Sequence, residues 1–520
     1  MVRFSILWMS NRLPRFAVGL AMSLGLGGCA VMDGAGPPVL WPSDPAAQQC
    51  LQWFERLDAV TDAHHVRDGG AARIAGFPFL RTDRLLASFR DDAVRSDAAF
   101  QAWGARLRAL DAQARAFERA HLPAAALAEL GVPDVAGAGA RTQRCADTLW
   151  AEVVAHPALR TTLAQRAQVP DDYSDWRRAL GLYPLTRGPF FAGVERWQQR
   201  WSATFAHTPA RIDTTAGWQR HVPATASGSP GGAELAALLG AVPRDALGIP
   251  TPDAATAQQL LQAHAPVLVI QNRGAHDRLG RLHWGDGPAP QVDASQPVVY
   301  QRLAHTRFGE QTLLQLVYSV WFPQRPPQGA LDLLAGAVDA VVMRLTLAPD
   351  GRVWLFDSIH ACGCYHLFVP TPALVPRPAP DARSEWAFVP TTLPAMRVGE
   401  RLRVVIESGS HMVVGVAPEP AANAAADGTA PAQTYTLSDE DGLRSLPGAD
   451  GRRRSAFWPH GIMPGTERGE RLLFWPMGIE SPGAMRQWGR QPTAFVGRRH
   501  FDDARLLQER FLLQPSLGAP

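Results

Sequence analysis

The residues with the most chemistry per unit length stand between Asp357 and His366, in the run Asp357-Ser358-Ile359-His360-Ala361-Cys362-Gly363-Cys364-Tyr365-His366. Two thiols and two imidazoles within seven residues are the soft and borderline ligands that zinc or copper prefer. His360, Cys362, Cys364 and His366 alternate at every second position, so in a continuing strand they share one face. Six residues of strand extend about 20 Å, too far for one ion with ligands near 2 Å. A bend at Gly363 is therefore the geometric condition for a shared site.

Three readings of this run stay open. One is a zinc or copper site on some of His360, Cys362, Cys364 and His366, helped by a distant histidine such as His283, His305 or His411. Another is a redox or structural disulfide involving Cys362 and Cys364, which needs a turn because their Cα separation in a flat strand lies near the limit for a disulfide. The third is a strand end with buried cysteines and satisfied histidines. No haem-attachment CxxCH, paired CxxC, HExxH, GxSxG or phosphate-cradling GxGxxG occurs. Ser408-Gly409-Ser410-His411 sets serine beside histidine, but neighbours on a turn do not make a triad. Asp502-Asp503 reads as the solvated start of a helix.

Composition narrows the chemistry further. The 520 residues carry 51 basic and 48 acidic side chains, and every basic one is arginine. Without lysine there is no P-loop lysine, no pyridoxal-phosphate Schiff base and no Ser-Lys hydrolase. Hydrophobic residues at 46% and charged residues at 19% are ordinary globular usage. The length suits two or three domains.

At the amino end, Arg3, Arg12 and Arg15 precede an apolar run from Phe16 to Leu26, then Gly27, Gly28 and Cys29. That is the layout of a secretory signal, its apolar run too short to span a bilayer. Leu26-Gly27-Gly28-Cys29 resembles the lipobox of bacterial lipoproteins. The resemblance implies acylation of Cys29, cleavage before it, and anchoring by acyl chains such as palmitate. It covers residues 1–29 only. Losing residues 1–28 removes three arginines and no acid, so the net charge of +3 falls to zero, which argues against a nucleic-acid partner. Ala30 after the cysteine, in place of the aspartate that retains such proteins in the inner membrane, favours the outer membrane with the body facing the periplasm.

These motifs must be positioned by the elements around them. Residues 29–45, rich in glycine and proline, read as a tether. From 46 to 208 the period is helical. Phe100, Trp103, Leu107, Leu110, Ala114 and Phe117 form one stripe, and Cys50-Trp53-Leu57-Val60 and Val194-Trp197-Trp201-Phe205 form others. Residues 209–263 read as a linker, with HVPATASGSPGG at 221–232, and a short helical patch. From 264 to 520 the period is two. Leu314 to Phe322 suits a strand buried on both faces, Ala348-Pro349-Asp350-Gly351 marks one hairpin turn and Ser408-Gly409-Ser410 another. Phe501 to Leu513 reads as a docked helix. The fold class predicted is α+β: an N-terminal helical domain, then a mainly antiparallel β-rich domain.

Cys29 aside, four cysteines remain. Cys50 and Cys145 each lie on a helix stripe, which makes a Cys50–Cys145 bridge the favoured pairing. Tyr318-Ser319-Val320-Trp321-Phe322-Pro323 and Phe474-Trp475-Pro476-Met477-Gly478 are aromatic enough to stack on a sugar or peptide, or to be core. Two function classes follow: a non-enzymatic envelope protein binding cell-wall material or another envelope protein, and a periplasmic metalloenzyme or thiol-redox protein with its site around residues 357–366.

Overall fold

The computed structural model describes residues 38–207, 217–224, 231–381, 383–419, 432–448 and 450–514. Cys29, the signal-like segment and most of the tether lie outside the described residues. Val39 to Pro520 forms one compact unit.

Helices dominate the amino-terminal part because side-chain caps and apolar stripes agree there. Asp44, Ser96 and Asp134 each accept a backbone N–H, from Ala47, Ala99 and Gly137, at the starts of the helices Pro45–Ala63, Asp97–His121 and Val135–Ala155. Phe100, Trp103, Leu107 and Ala114 are buried as the stripe requires. Cys50 and Cys145 pair as a disulfide with Cα atoms 5.0 Å apart, tying the first of these helices to the third. The polar turns between the apolar positions are not all solvated. Arg81, on the hairpin Ala72–Thr82, donates to Glu118 at 2.6 Å and Asp111 at 3.2 Å, and Arg115 donates to Asp111 at 2.8 Å, all four side chains being buried.

Ten strands form the central sheet. From edge to edge they run Leu367–Pro370, Val353–His360, Gly336–Leu347, Gln311–Arg325, Val298–Phe308, Gln433–Asp439, Trp218–Pro223, Val267–Gln271, Leu402–Ile406 and Val413–Pro418. The first five are antiparallel neighbours. Three pairings in the other half are parallel, so the sheet is mixed. Gln311–Arg325 lies in its interior, which is why Leu314 to Phe322 is buried throughout. Both predicted hairpins form, with Gly351 and Gly409 at positive φ.

Three expectations change. His221 to Pro223, read as linker, belongs to a strand inside the sheet, because the parallel partner Gln433–Asp439 arrives from far along the chain. The helix Tyr183–His207, read with the helical domain, packs on the sheet: Trp197 and Trp201 lie against its core and the Trp201 indole donates to the Val413 carbonyl at 3.3 Å. The expected terminal helix is a single turn, Leu506–Arg510, after which Phe511–Leu513 pairs with Leu374–Pro376, since Phe511 is fully buried and its neighbours take ladder bonds.

Candidate functional site

The segment from His360 to His366 is a tight turn between two strands. The His360 N–H donates to the Cys364 carbonyl at 3.0 Å, and the Gly363 N–H to the His360 carbonyl at 2.8 Å. Gly363 has φ +92°, and a Cβ there would fall 2.1 Å from the Pro492 carbonyl oxygen. The bend thus requires glycine on two counts. Tyr365 also sits at positive φ, 63°, a conformation uncommon for a bulky residue.

The turn draws the thiols together and sends the imidazoles apart. The Cys364 N–H donates to Cys362 Sγ at 3.3 Å. Hydrogen bonding to Cys362 and then burial hold the Cys364 thiol well above its usual range, so it stays protonated at neutral pH. His366 Nε2 is 3.0 Å from Asp357, whose carboxylate also receives both Arg344 donors at 3.0 and 2.6 Å. Burial would raise Asp357, but Arg344 and His366 outweigh it and hold it low. Burial takes His366 down to about 3. His360 faces Asp339 at 3.5 Å and is lowered by burial. So His360, Cys362, Cys364 and His366 do not converge on one point. Among the described residues no group of three or more histidine, cysteine or acidic side chains is arranged to hold a metal ion.

Of the distant histidines, His411 alone joins this network. Its Nδ1 lies 2.9 Å from Asp339 and its Nε2 3.1 Å from the His276 carbonyl, with Asp277 at 3.5 Å. The ring stacks on Phe322 at 4.0 Å. Burial opposes its protonation, but the two aspartates prevail and raise it. Ser408 donates to Asp277 at 2.8 Å and Ser410 to Glu407, so neither serine faces the imidazole as a nucleophile would. His305 contacts the Pro250 carbonyl at 3.1 Å, and His283 lies in the small hairpin Arg281–Asp293; neither reaches the turn.

Beside the turn opens a cavity of about 530 Å³. Cys364, Tyr365 and His366 form part of its lining, with Trp197, Phe190 and Gly193 of the helix Tyr183–His207, and Trp386, Phe474 and Phe495 from loops. The rings brace one another: Phe190 and Phe474 meet at 5.4 Å, Phe474 and Phe495 at 5.0 Å, Trp197 and Tyr365 at 5.4 Å. Glu470 is the carboxyl in the lining that titrates near neutrality. Burial pushes it up to about 7, Asp339 and Asp332 add to that, and Arg325 and Arg468 oppose it. A volume of this size, apolar with few polar groups, is typical of a small-molecule site.

Large apolar side chains are exposed on segments next to the cavity. Trp176, Leu180, Leu182, Leu185 and Leu472 are each 60 to 74% exposed. They stand on the helix Asp175–Leu180, on the Gly181-Leu182 turn that follows it, on the start of Tyr183–His207 and on the turn Arg471–Phe474. These are held side by side by Ser174 donating to the Gly478 carbonyl at 2.7 Å and Arg178 to the Met477 carbonyl at 2.9 Å. Leu473 and Phe474 continue directly from this rim into the cavity wall.

The two aromatic stretches divide. Tyr318, Trp321 and Phe322 are core, whereas Phe474 lines the cavity and Trp475 is partly exposed beside it. Glu470, Trp386 and Phe190 went unrecognised in the sequence; an exposed Leu472-Leu473 pair beside Phe474-Trp475 was the available signal. No family model, curated protein or solved structure matches the chain.

Proposed function

We propose that this chain is a lipid-anchored envelope protein, acylated at Cys29 and facing the periplasm from the outer membrane, that binds an amphipathic ligand in the aromatic cavity. The observation that carries the reading is an apolar cavity whose wall residues Leu473 and Phe474 directly follow the exposed Leu472, with further exposed apolar side chains on the neighbouring helices. Soluble surfaces seldom present contiguous leucine and tryptophan without a ligand or surface to cover them. An acyl or other apolar chain entering the cavity gains about 0.8 kcal/mol per methylene removed from water. Glu470 offers a polar partner for a head group. Among the described residues no helix is long and apolar enough to cross a membrane; the anchor of this reading is the acylated cysteine.

The test is titration with a fluorescent fatty-acid probe. Gly193 lies on the cavity side of its helix with nothing within 4 Å of a Cβ position. Gly193→Phe therefore fills the cavity without a backbone clash. Saturable binding in the wild type, weakened about tenfold or more by Gly193→Phe, supports the reading; equal binding by both defeats it.

A second reading, thiol–disulfide exchange at Cys362 and Cys364, is favoured by the contact between their turn atoms. Its raised thiol makes it slow at neutral pH and faster in alkali. Alkylation rates across pH, followed by intact mass, test it: loss of two hydrogens after exposure to glutathione disulfide is expected, and persistence of both free thiols rules it out.

A further inference from the structure

We propose that a second, polar cavity, between the helix Asp97–His121 and the sheet, binds a neutral hydroxyl-rich ligand of the saccharide class. The cavity measures about 130 Å³, room for several waters or one sugar ring. Leu110 and Gln113 of the helix form one wall, Arg302 of the strand Val298–Phe308 another, and Glu440, Trp488 and Asp502 complete it.

Its polar groups are incompletely satisfied from within the protein. Asp502 has a side chain only 9% exposed; one oxygen faces Arg84 at 3.5 Å, and the other, Oδ1, has no hydrogen-bond partner. Buried carboxylate oxygens without donors are costly, and they mark places where a donor belongs. Arg302 Nε, a donor, also lacks a partner, although its Nη1 approaches Glu440 at 3.4 Å. Burial raises both Asp83 and Glu440 above the usual carboxylate range.

An unmet acceptor and an unmet donor in one lining suit hydroxyls, which serve as both. The rest of the lining includes Leu85, Leu110 and Trp488, which suit the C–H face of a sugar ring. Asp83, Glu440, Asp441 and Asp502 share the lining with Arg302 and Arg444, and its charges are largely paired: Arg302 with Glu440, Arg444 with Asp441, and Asp502 with Arg84. An anion would have to approach Asp441 and Asp502. A neutral polyol leaves these ion pairs intact, whereas a charged ligand of either sign has to compete with them.

The experiment titrates the full chain with glucose, N-acetylglucosamine and maltose at millimolar concentration by calorimetry, with glucosamine and magnesium as cationic controls. Leu110→Trp fills the cavity from its apolar wall, and Asp502→Asn replaces the carboxylate, with its unpartnered acceptor, at nearly constant size. Saturable binding of a neutral saccharide, abolished by Leu110→Trp and weakened about tenfold or more by Asp502→Asn, is expected. Should Asp502→Asn fail to fold, the Leu110→Trp comparison decides alone. Overturning results are no saccharide heat in the wild type, unchanged binding in folded Leu110→Trp, or uptake of glucosamine or magnesium with none of the neutral sugars.

Discussion

Phe190, on the helix Tyr183–His207, meets Phe474 edge to face with ring centroids 5.4 Å apart. The contact joins two segments far apart in the chain and makes them opposite sides of one apolar cavity. Edge-to-face pairs contribute about 0.5 to 1.5 kcal/mol beyond burial. The cavity wall is thus held by its own aromatic packing.

The buried histidines set a pH response. Burial lowers His366 to about 3, His305 to about 4 and His221 to about 4, from an ordinary 6.5. Below 6.5 the unfolded chain binds protons that the folded chain refuses, so stability falls as pH drops from 6.5 toward 4. His411 is raised and works the other way: its contribution is full below 6.5 and fades as pH rises through its folded value. Glu470, pushed up to about 7, works with His411, because the folded chain keeps a proton there that the unfolded chain gives up; each lowered histidine withdraws up to about 1.4 kcal/mol per pH unit over its own window. Urea midpoints from pH 7 to 4.5 for wild type and His305→Gln check this: the variant should lose less stability in acid, and parallel profiles refute it.

The Arg344–Asp357 pair is a stability element. Both side chains are buried, and Asp357 also holds His366. Asp357→Leu strands a buried guanidinium and should destabilise by about 3 to 5 kcal/mol, whereas the double variant Arg344→Met with Asp357→Leu should recover much of that loss. Chemical denaturation of the three proteins reads the difference. A single variant as stable as wild type contradicts the pairing.

The disulfide spans a sequence separation of 95 residues. Replacing Cys50 and Cys145 by alanine should cost up to about 4 to 5 kcal/mol on the loop-entropy account. Non-reducing peptide mapping should recover the two in one linked fragment; a free thiol at either position in folded protein refutes the bond.

Acylation needs the thiol of Cys29. Cys29→Ala should lose incorporation of a fatty-acid analogue and release the body from the membrane fraction. Undiminished labelling of the variant would sink the lipobox reading.

Local signals carried much of the fold. Helix stripes, the Pro349-Asp350-Gly351 turn and the Cys50–Cys145 pairing are set by near neighbours or one shared face, and they are legible in the chain. The strand Trp218–Pro223 was not, because what makes it a strand is pairing with residues 433–435. The buried Arg81–Asp111–Arg115–Glu118 cluster was hidden for the same reason: its charges look solvated until the hairpin lies over the helix. At the site, the bend at Gly363 could be posed as a condition from the residue types alone. The directions of His360 and His366 could not, since Asp339 and Asp357 claim them from neighbouring strand positions.

The cavity reading rests most directly on one titration. A fluorescent fatty-acid probe added to wild type and to Gly193→Phe, both shown folded by their melting transitions, reports whether the space beside Phe190 and Phe474 takes an apolar chain. Saturable binding in the wild type with affinity reduced about tenfold or more in the variant is the predicted result. Identical binding curves, or none in either protein, would contradict it.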